Sequence, residues 1–258
     1  MNDLVTGLKK RVIPIILFSN YQVVKSREFK DYRVLGNLEQ TINVFNHRNV
    51  DEIIIVDIEA SKIKSKINLE VLKILSKNSL MPFSYGGGIQ TVEDIQKCLE
   101  LGCDKVVINS KCLKDIKFVY EASKVFGSQC IVVSVDYKVL NKDKWKIFSH
   151  IGLNTDHIEP HQYIKDLVNS GAGEIILTSV NHEGKMKGYD ESFAKIICDE
   201  INIPVLVNGG CGSPEHMIKP FTFGVDGVCA GSIFYFSQYS YKDIKDFLIK
   251  NKINVRPS

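Results

Sequence analysis

The sequence has no uninterrupted run of about 18 apolar residues, the length that a membrane-crossing helix requires. Its first residues, Met1-Asn2-Asp3-Leu4-Val5-Thr6-Gly7-Leu8, lack the charged start and apolar stretch of a secretion signal, so a cytoplasmic protein with no membrane partner is expected. No C-x-x-C pair occurs among the 7 cysteines, Cys98, Cys103, Cys112, Cys130, Cys198, Cys211 and Cys229. Their number is odd and most fall inside apolar helix or strand patterns, so they are expected to be reduced core thiols, not a disulfide framework or metal set. An excess of one charge is missing too: the net charge of +3 comes from mixed Lys, Asp and Glu, which argues against a nucleic-acid partner. His157 and His161 stand four apart, but Pro160 between them opposes a helix that would present both to a metal, and a solvent loop is expected there. His216 is expected at the surface, and Asn141 to Lys144 as a polar turn between two extended runs. Neither a metal nor a cofactor is expected.

What is present is alternation. Short apolar runs recur at Val12 to Leu17, Glu52 to Asp57, Pro82 to Tyr85, Lys105 to Ile108, Cys130 to Val135, Glu174 to Leu177, Pro204 to Val207 and Gly227 to Ala230. Helical spacing such as Val92-Ile95-Leu99 and Phe118-Val119-Ala122-Val125 fills the gaps. Eight near-continuous apolar strands alternating with helices in 258 residues predict a parallel sheet closed as a (β/α)8 barrel. The chain also repeats itself. Pro82 to Ser110 superimposes without gaps on Pro204 to Ser232, with Gly87/Gly209, Gly88/Gly210, Glu93/Glu215, Asp104/Asp226 and Ser110/Ser232 identical. The same offset pairs Glu52-Ile53-Ile54 with Glu174-Ile175-Ile176. Two half-barrels, about 10–125 and 126–250, are therefore expected within one domain, since no Pro/Gly/Ser-rich linker separates them.

The repeat carries chemistry. Gly86-Gly87-Gly88 follows the third strand and Gly209-Gly210 the seventh, at the strand ends where barrel enzymes place their sites. Glycine there lets backbone N–H groups approach an anion, and each loop leads toward a helix N-terminus. The next strands end in Asn109-Ser110 and Gly231-Ser232, suited to the remaining phosphate oxygens. Two copies at equivalent places predict a phosphorylated small molecule with a phosphate at each end.

Gly86-Gly87-Gly88-Ile89, Asp104 to Ser110, Phe126-Gly127-Ser128-Gln129, Gly171 to Ser179 and the ending Asn254-Val255-Arg256 together resemble the HisF family, the cyclase subunits of imidazole glycerol phosphate synthase. The resemblance runs from Lys10 nearly to the end. It implies a heterodimer with a HisH-like glutaminase docked on the barrel's bottom face. Ammonia from that partner would cross the barrel to a bis-phosphorylated ribonucleotide at the top. It further implies a ring of alternating charges at the ammonia entrance, here Arg11, Glu52, Lys105 and Glu174, with Asp104 beside it on a position used toward the glutaminase.

Two aspartates do the family's acid-base work, at the ends of the first and fifth strands. Asp136 matches the second. Laying Arg11 to Phe18 over Cys130 to Tyr137 puts Leu17 opposite it, so the first-strand aspartate is replaced. The loop after the sixth strand departs as well, with Asn181-His182-Glu183-Gly184-Lys185 for an Asp-x-Asp-Gly-Thr run. Phe18-Ser19-Asn20-Tyr21-Gln22 replaces a charged, glycine-containing turn, while Lys25 is kept. An altered top above a retained entrance suggests a divergent paralogue. Barrels of this kind look like those found with surface-polysaccharide (lipopolysaccharide) enzymes, where the ammonia would pass to a sugar amidotransferase for amidination of a nucleotide-activated sugar. Two alternatives stand beside it: a genuine cyclase subunit of histidine biosynthesis, a lyase with Glu183 or another group standing in for the lost aspartate, and a scaffold that activates the glutaminase without catalysis.

Overall fold

A computed structural model describes residues 8–63 and 65–258. The stretch Met1 to Gly7, on which the leader reading mostly rests, lies outside the described residues. The strands are β1 (Arg11–Ser19), β2 (Gln22–Arg27), β3 (Lys30–Gly36), β4 (Ile53–Asp57), β5 (Phe83–Gly86), β6 (Lys105–Ile108), β7 (Ile131–Asn141), β8 (Lys144–Ile147), β9 (Glu174–Ser179), β10 (Val205–Asn208) and β11 (Gly227–Ala230). The helices are α1 (Leu38–His47), α2 (Leu69–Asn78), α3 (Val92–Glu100), α4 (Ser110–Lys114), α5 (Lys117–Phe126), α6 (Pro160–Asn169), α7 (Glu191–Glu200), α8 (Glu215–Thr222), α9 (Ser232–Phe236) and α10 (Tyr241–Lys250).

Parallel pairing runs β1-β4-β5-β6-β7-β9-β10-β11 and closes when β11 pairs β1, with Arg11 opposite Gly227 and Pro14 opposite Ala230. This is the (β/α)8 barrel that the alternation predicts. The side-chain period of two along a strand sorts residues into two cores. Val12 and Ile16 point out to the layer between sheet and helices, which holds most of the buried apolar side chains. Ile13 and Ile15 point inward and meet Ile54, Val107, Val132, Ile176, Leu206 and Cys229 in a separate cluster lining the barrel's interior.

The register supports the alignment between halves. Leu17 lies opposite Val56 of β4, and Asp136 lies opposite Thr178 of β9. Val56 and Thr178 are related by the same offset that pairs Glu52 with Glu174. Leu17 and Asp136 therefore occupy matching places in the two halves.

Two hairpins have no counterpart in the eight-strand reading. Beyond the barrel rim β1 continues through a tight turn at Asn20-Tyr21 into β2, and a second tight turn at Glu28-Phe29 leads into β3. All four turn residues have positive φ (47°, 60°, 50° and 62°), a conformation that suits two-residue hairpin turns and strains side chains larger than glycine. Contacts of the second turn, described below, hold it in place. The other hairpin joins β7 to β8 through Lys142-Asp143, where a polar turn is expected from the sequence.

Candidate functional site

Alternate residues of single strands form columns from the bottom of the barrel to its top. On β1 the column is Arg11, Ile13, Ile15, Leu17; around β4 it is Glu52, Ile54, Val56; on β9 it is Glu174, Ile176, Thr178. Each begins with a charge, passes through the apolar interior and ends at a cavity whose walls include Leu17, Val56, Thr178 and Asp136.

At the bottom, Glu174 is 5% exposed and accepts hydrogen bonds from both Arg11 and Lys105, the latter at 2.8 Å. Arg11 Nη1 also donates to Glu52 Oε1 at 3.2 Å. The four sequence-predicted charges thus form one network, Glu52–Arg11–Glu174–Lys105, across the barrel's floor. Burial works against the Arg11 cation, but its bond and attraction to Glu174, with Glu52 adding to them, hold its pKa above the usual arginine range. At Glu52 the balance falls the other way: burial raises the carboxyl, and attraction to Arg11 and Lys105 offsets this in part. Glu174 joins both cations, one at each carboxylate oxygen, whereas Glu52 pairs with Arg11. Directly above, burial also pushes the Cys229 thiol up, so it stands there as a neutral apolar group. Asp104, beside the network, accepts from the Phe83 backbone N–H at 3.0 Å, as Asp226 does from Val205 at 3.1 Å. That shared contact gives both aspartates a role in anchoring strand starts.

At the top, Asp136 is 5% exposed and surrounded by donors. Its Oδ2 accepts from Asn109 Nδ2 at 2.8 Å and lies 2.9 Å from His150 Nε2, while Ser134 Oγ donates to Oδ1 at 3.4 Å. Leu17, its counterpart, has Ile15 and Val56 beside it, so one wall of the cavity is polar and the other apolar. Asp57, at the end of β4, also lines this cavity; burial raises its pKa, and the N–H groups of Glu59 and Ala60, each at 3.1 Å, counter that effect.

Gly87, Gly88, Asn109 and Ser110 line the same cavity. A Cβ at Gly87 would meet the backbone oxygen of Asp57, and one at Gly209 would lie 2.7 Å from that of Ser179, the equivalent residue of the other half. Both glycines have positive φ, so the close approach is built in twice. The helix partner differs from expectation. The N-terminus of α3, after the first glycine loop, is closed by its own capping box, Thr91 with Asp94. Helices α4 and α9 instead begin at Ser110 and Ser232 with no side-chain cap. Gly209 and Gly210 pack under the loop from Ser179 to Gly188, and Gly231 lies against Lys25, whose Nζ would be 2.6 Å from a Cβ there.

The hairpin β2–β3 covers the mouth. Lys25 and Glu183, 5% and 3% exposed, form a buried ion pair. Glu28 N–H donates to the Glu183 carbonyl at 2.9 Å, and Lys185 pairs with Glu28 at 2.7 Å. Phe29 packs on the His150 ring with centroids 4.3 Å apart, and Phe148 meets that ring edge-on at 5.3 Å. Glu183, considered from sequence as a substitute acid, is thus held by Lys25.

Sequence reasoning missed His150, Phe29, Asp57 and Ser26 at the cavity. A signal existed for His150: the polar turn at Asn141 to Lys144 implies that the chain doubles back and returns residues 145–150 to the end of the strand carrying Asp136. Of the other histidine expectations, that no helix presents both His157 and His161 agrees with the structure, while the loop placement of His161 and the surface placement of His216 need revision. His161 lies in the first turn of α6, where it contacts Glu200 at 3.2 Å and the Trp145 ring; His157 precedes that helix, so the pair is not presented together. His216 is half-buried and its Nδ1 accepts from the Gly212 N–H at 3.1 Å. The cysteines are free, and among the described residues no group of three or more His, Cys, Asp or Glu is placed to hold a metal ion. Among the same residues no helix is long and apolar enough to cross a membrane.

Residues 11–240 match the family described as histidine biosynthesis protein. The chain is 44% identical over 249 residues, 96% of this chain and 99% of the relative, to a protein of Campylobacter jejuni subsp. jejuni named, provisionally, as imidazole glycerol phosphate synthase subunit hisF2. It is 37% identical over 250 residues to the imidazole glycerol phosphate synthase subunit HisF of Hydrogenobaculum sp., covering 96% of this chain and 99% of that one. With the HisF subunit of Thermococcus onnurineus it shares 35% over 249 residues, 96% and 98% of the two chains.

Proposed function

The chain belongs to the HisF family of histidine biosynthesis proteins, and from that premise we propose that it is the barrel subunit of a heterodimer with a HisH-like glutaminase, carrying ammonia from that partner through its interior. The observation that carries the reading is the β1 column: a charged floor at Arg11, an apolar path past Ile13 and Ile15, and an open cavity at Leu17. Ammonia is neutral and small, so an apolar lumen passes it while excluding ions. Arg11, Glu52, Lys105 and Glu174 form the gate. Buried ion networks are in general a poor source of stability, so retaining one across the floor favours a passage role.

At the cavity Asp136 is the remaining acid-base group, positioned by Asn109, His150 and Ser134. Leu17 cannot exchange a proton, and losing one of two acid-base groups typically costs roughly 10²- to 10⁴-fold in rate. The ammonia is therefore delivered to another acceptor: a sugar amidotransferase that amidinates a nucleotide-activated sugar for surface polysaccharide. The backbone at Gly87, Gly88, Asn109 and Ser110, with Gly209, Gly210, Gly231 and Ser232 opposite, holds the phosphates of a small-molecule ligand. Asn109 serves both that cradle and Asp136.

The test mixes the protein with its glutaminase and the amidotransferase and follows glutamine-dependent amidination of the sugar nucleotide. Restored growth without histidine, when this chain is expressed in a cyclase-deficient strain, would refute the reading. It would favour a genuine cyclase subunit, which the donor-rich setting of Asp136 keeps as the second reading.

A further inference from the structure

The two halves of the barrel differ in chemistry at one cross-strand pair. In the second half the register sets Asp136 of β7 opposite Thr178 of β9, and both line the upper cavity. In the first half the matching pair is Leu17 of β1 and Val56 of β4, so an acid and a hydroxyl are answered by two hydrocarbon side chains. Leu17 also lies opposite Val24 of β2, and Val24 opposite Val34 of β3. Side chains directly opposed across paired strands share one face of a sheet. Val56, Leu17, Val24 and Val34 therefore form one apolar row. It begins where Val56 packs against the lumen cluster of Ile13 and Ile15, and it runs across the hairpin to an exposed valine on the outer strand. The reverse face of the same strands agrees with this sorting, because Phe18 and Val23, paired with each other, belong to the layer between sheet and helices.

Such a row matters for a molecule with the acid–base behaviour of ammonia. In neutral water ammonia is overwhelmingly ammonium, and an ammonium ion without partners is costly to hold in apolar surroundings. A carboxylate within about 4–6 Å favours the charged form of an amine. An acid at the outlet of the lumen would therefore draw a proton from cavity water onto arriving ammonia and hold the ion. For a reaction completed at that spot an acid is useful; for onward passage it is a trap. Asp57 and Asp136, the carboxylates among the described lining residues, are already engaged. Asp136 accepts from Asn109 and Ser134 and has His150 Nε2 at 2.9 Å, and Asp57 accepts from the N–H groups of Glu59 and Ala60.

We propose that Leu17 is a specificity-determining residue of this barrel: it keeps arriving ammonia uncharged and passes it along the row of Val56, Leu17, Val24 and Val34 out of the cavity, in place of consumption beside Asp136. The inference rests on the reading that ammonia goes to another acceptor, and it deepens that reading, since the leucine then serves the route and is more than a lost acid. It also gives the hairpin a part in the transfer, because two of the four row residues belong to it.

The experiment compares the full-length wild type with Leu17→Asp, Leu17→Asn and Leu17→Met. One readout is the backbone amide shifts on adding ammonium chloride, with sodium chloride at equal concentration as the control. Leu17→Asp should bind ammonium several-fold more tightly than wild type, with shifts at position 17 and at Val56, and Leu17→Asn should not. The other readout is the number of sugar amidinations per glutamine hydrolysed, in the complex with the glutaminase and the amidotransferase. That ratio should fall several-fold in Leu17→Asp, less in Leu17→Asn, and be rescued by the conservative Leu17→Met. Val56→Asp puts the acid across the same strand pair and should behave as Leu17→Asp does, so poor folding of either variant leaves the other to decide. Unchanged ammonium binding or an unchanged ratio in the acidic variants would overturn this inference alone. Equal losses in Leu17→Asp and Leu17→Asn would overturn it too, because shape and not charge would then be at stake. A wild-type complex that hydrolyses glutamine without amidinating the sugar would overturn the proposed function, and this inference with it.

Discussion

Replacing Glu174 by Gln tests whether the floor of the barrel is one electrostatic unit. The substitution keeps the side chain's length and removes the charge that Arg11 and Lys105 share. The four-residue network then goes from two cations and two anions to an excess of one cation. Arg11 keeps Glu52 at 3.2 Å, whereas Lys105 loses its ion-pair partner. Breaking a buried pair from one side costs about 3–5 kcal/mol, and because the two cations are a quarter exposed the lower end applies, near 3 kcal/mol. At about 2–4 °C per kcal/mol for a chain of this size, the melting temperature should fall by roughly 6–12 °C. The exposed pair Lys73–Glu70 supplies the control, since Glu70→Gln should change stability by less than about 0.5 kcal/mol. Removing all four charges together, Arg11→Met, Glu52→Leu, Lys105→Met and Glu174→Leu, strands no ion and should cost less than Glu174→Gln alone. The assay is thermal unfolding followed by circular dichroism, repeated in high salt, where the loss at Glu174 should change little because buried pairs are weakly screened. Equal, small losses for Glu174→Gln and Glu70→Gln would refute the idea that the network is a buried, mutually dependent set.

Two further outcomes are expected. Burial raises the Glu52 carboxyl in the folded state, so folding favours its protonated form; wild type should gain stability relative to Glu52→Gln as pH falls through the folded pKa, with the gain complete below the unfolded value of about 4.3, as urea unfolding across that range would show. Glu183→Gln leaves the buried Lys25 ammonium without its partner, so stability should fall by about 3–5 kcal/mol and the β2–β3 hairpin should be cut earlier in limited proteolysis; an unchanged cleavage pattern would mean that the hairpin is held by its Phe29 contact with His150.

The barrel was legible because its cause is local and repeated. A strand buried on both faces must be apolar throughout, and eight such runs announce a closed parallel sheet whatever the helices contain. The place of Leu17 was legible too, because a one-residue slip would turn every inward residue of β1 outward, so the alignment of halves had a single physical solution. The hairpin β2–β3 was not. Its turns place Asn20, Tyr21, Glu28 and Phe29 at positive φ, where sequence rules expect glycine, and the conformation holds through partners far along the chain: Glu183, Lys185 and His150.

By itself, then, the sequence determined the eight barrel strands, their alternation with helices and the alignment that sets Leu17 opposite Asp136 between the halves, all consequences of side-chain periodicity and internal repetition. Tertiary structure alone decided that Glu174 joins Arg11 to Lys105, that Glu183 is consumed by Lys25 and that His150 reaches Asp136. Those facts depend on distances between residues remote in sequence. Barrel closure and the folding-over of two hairpins set such distances, and no local pattern in the chain records them.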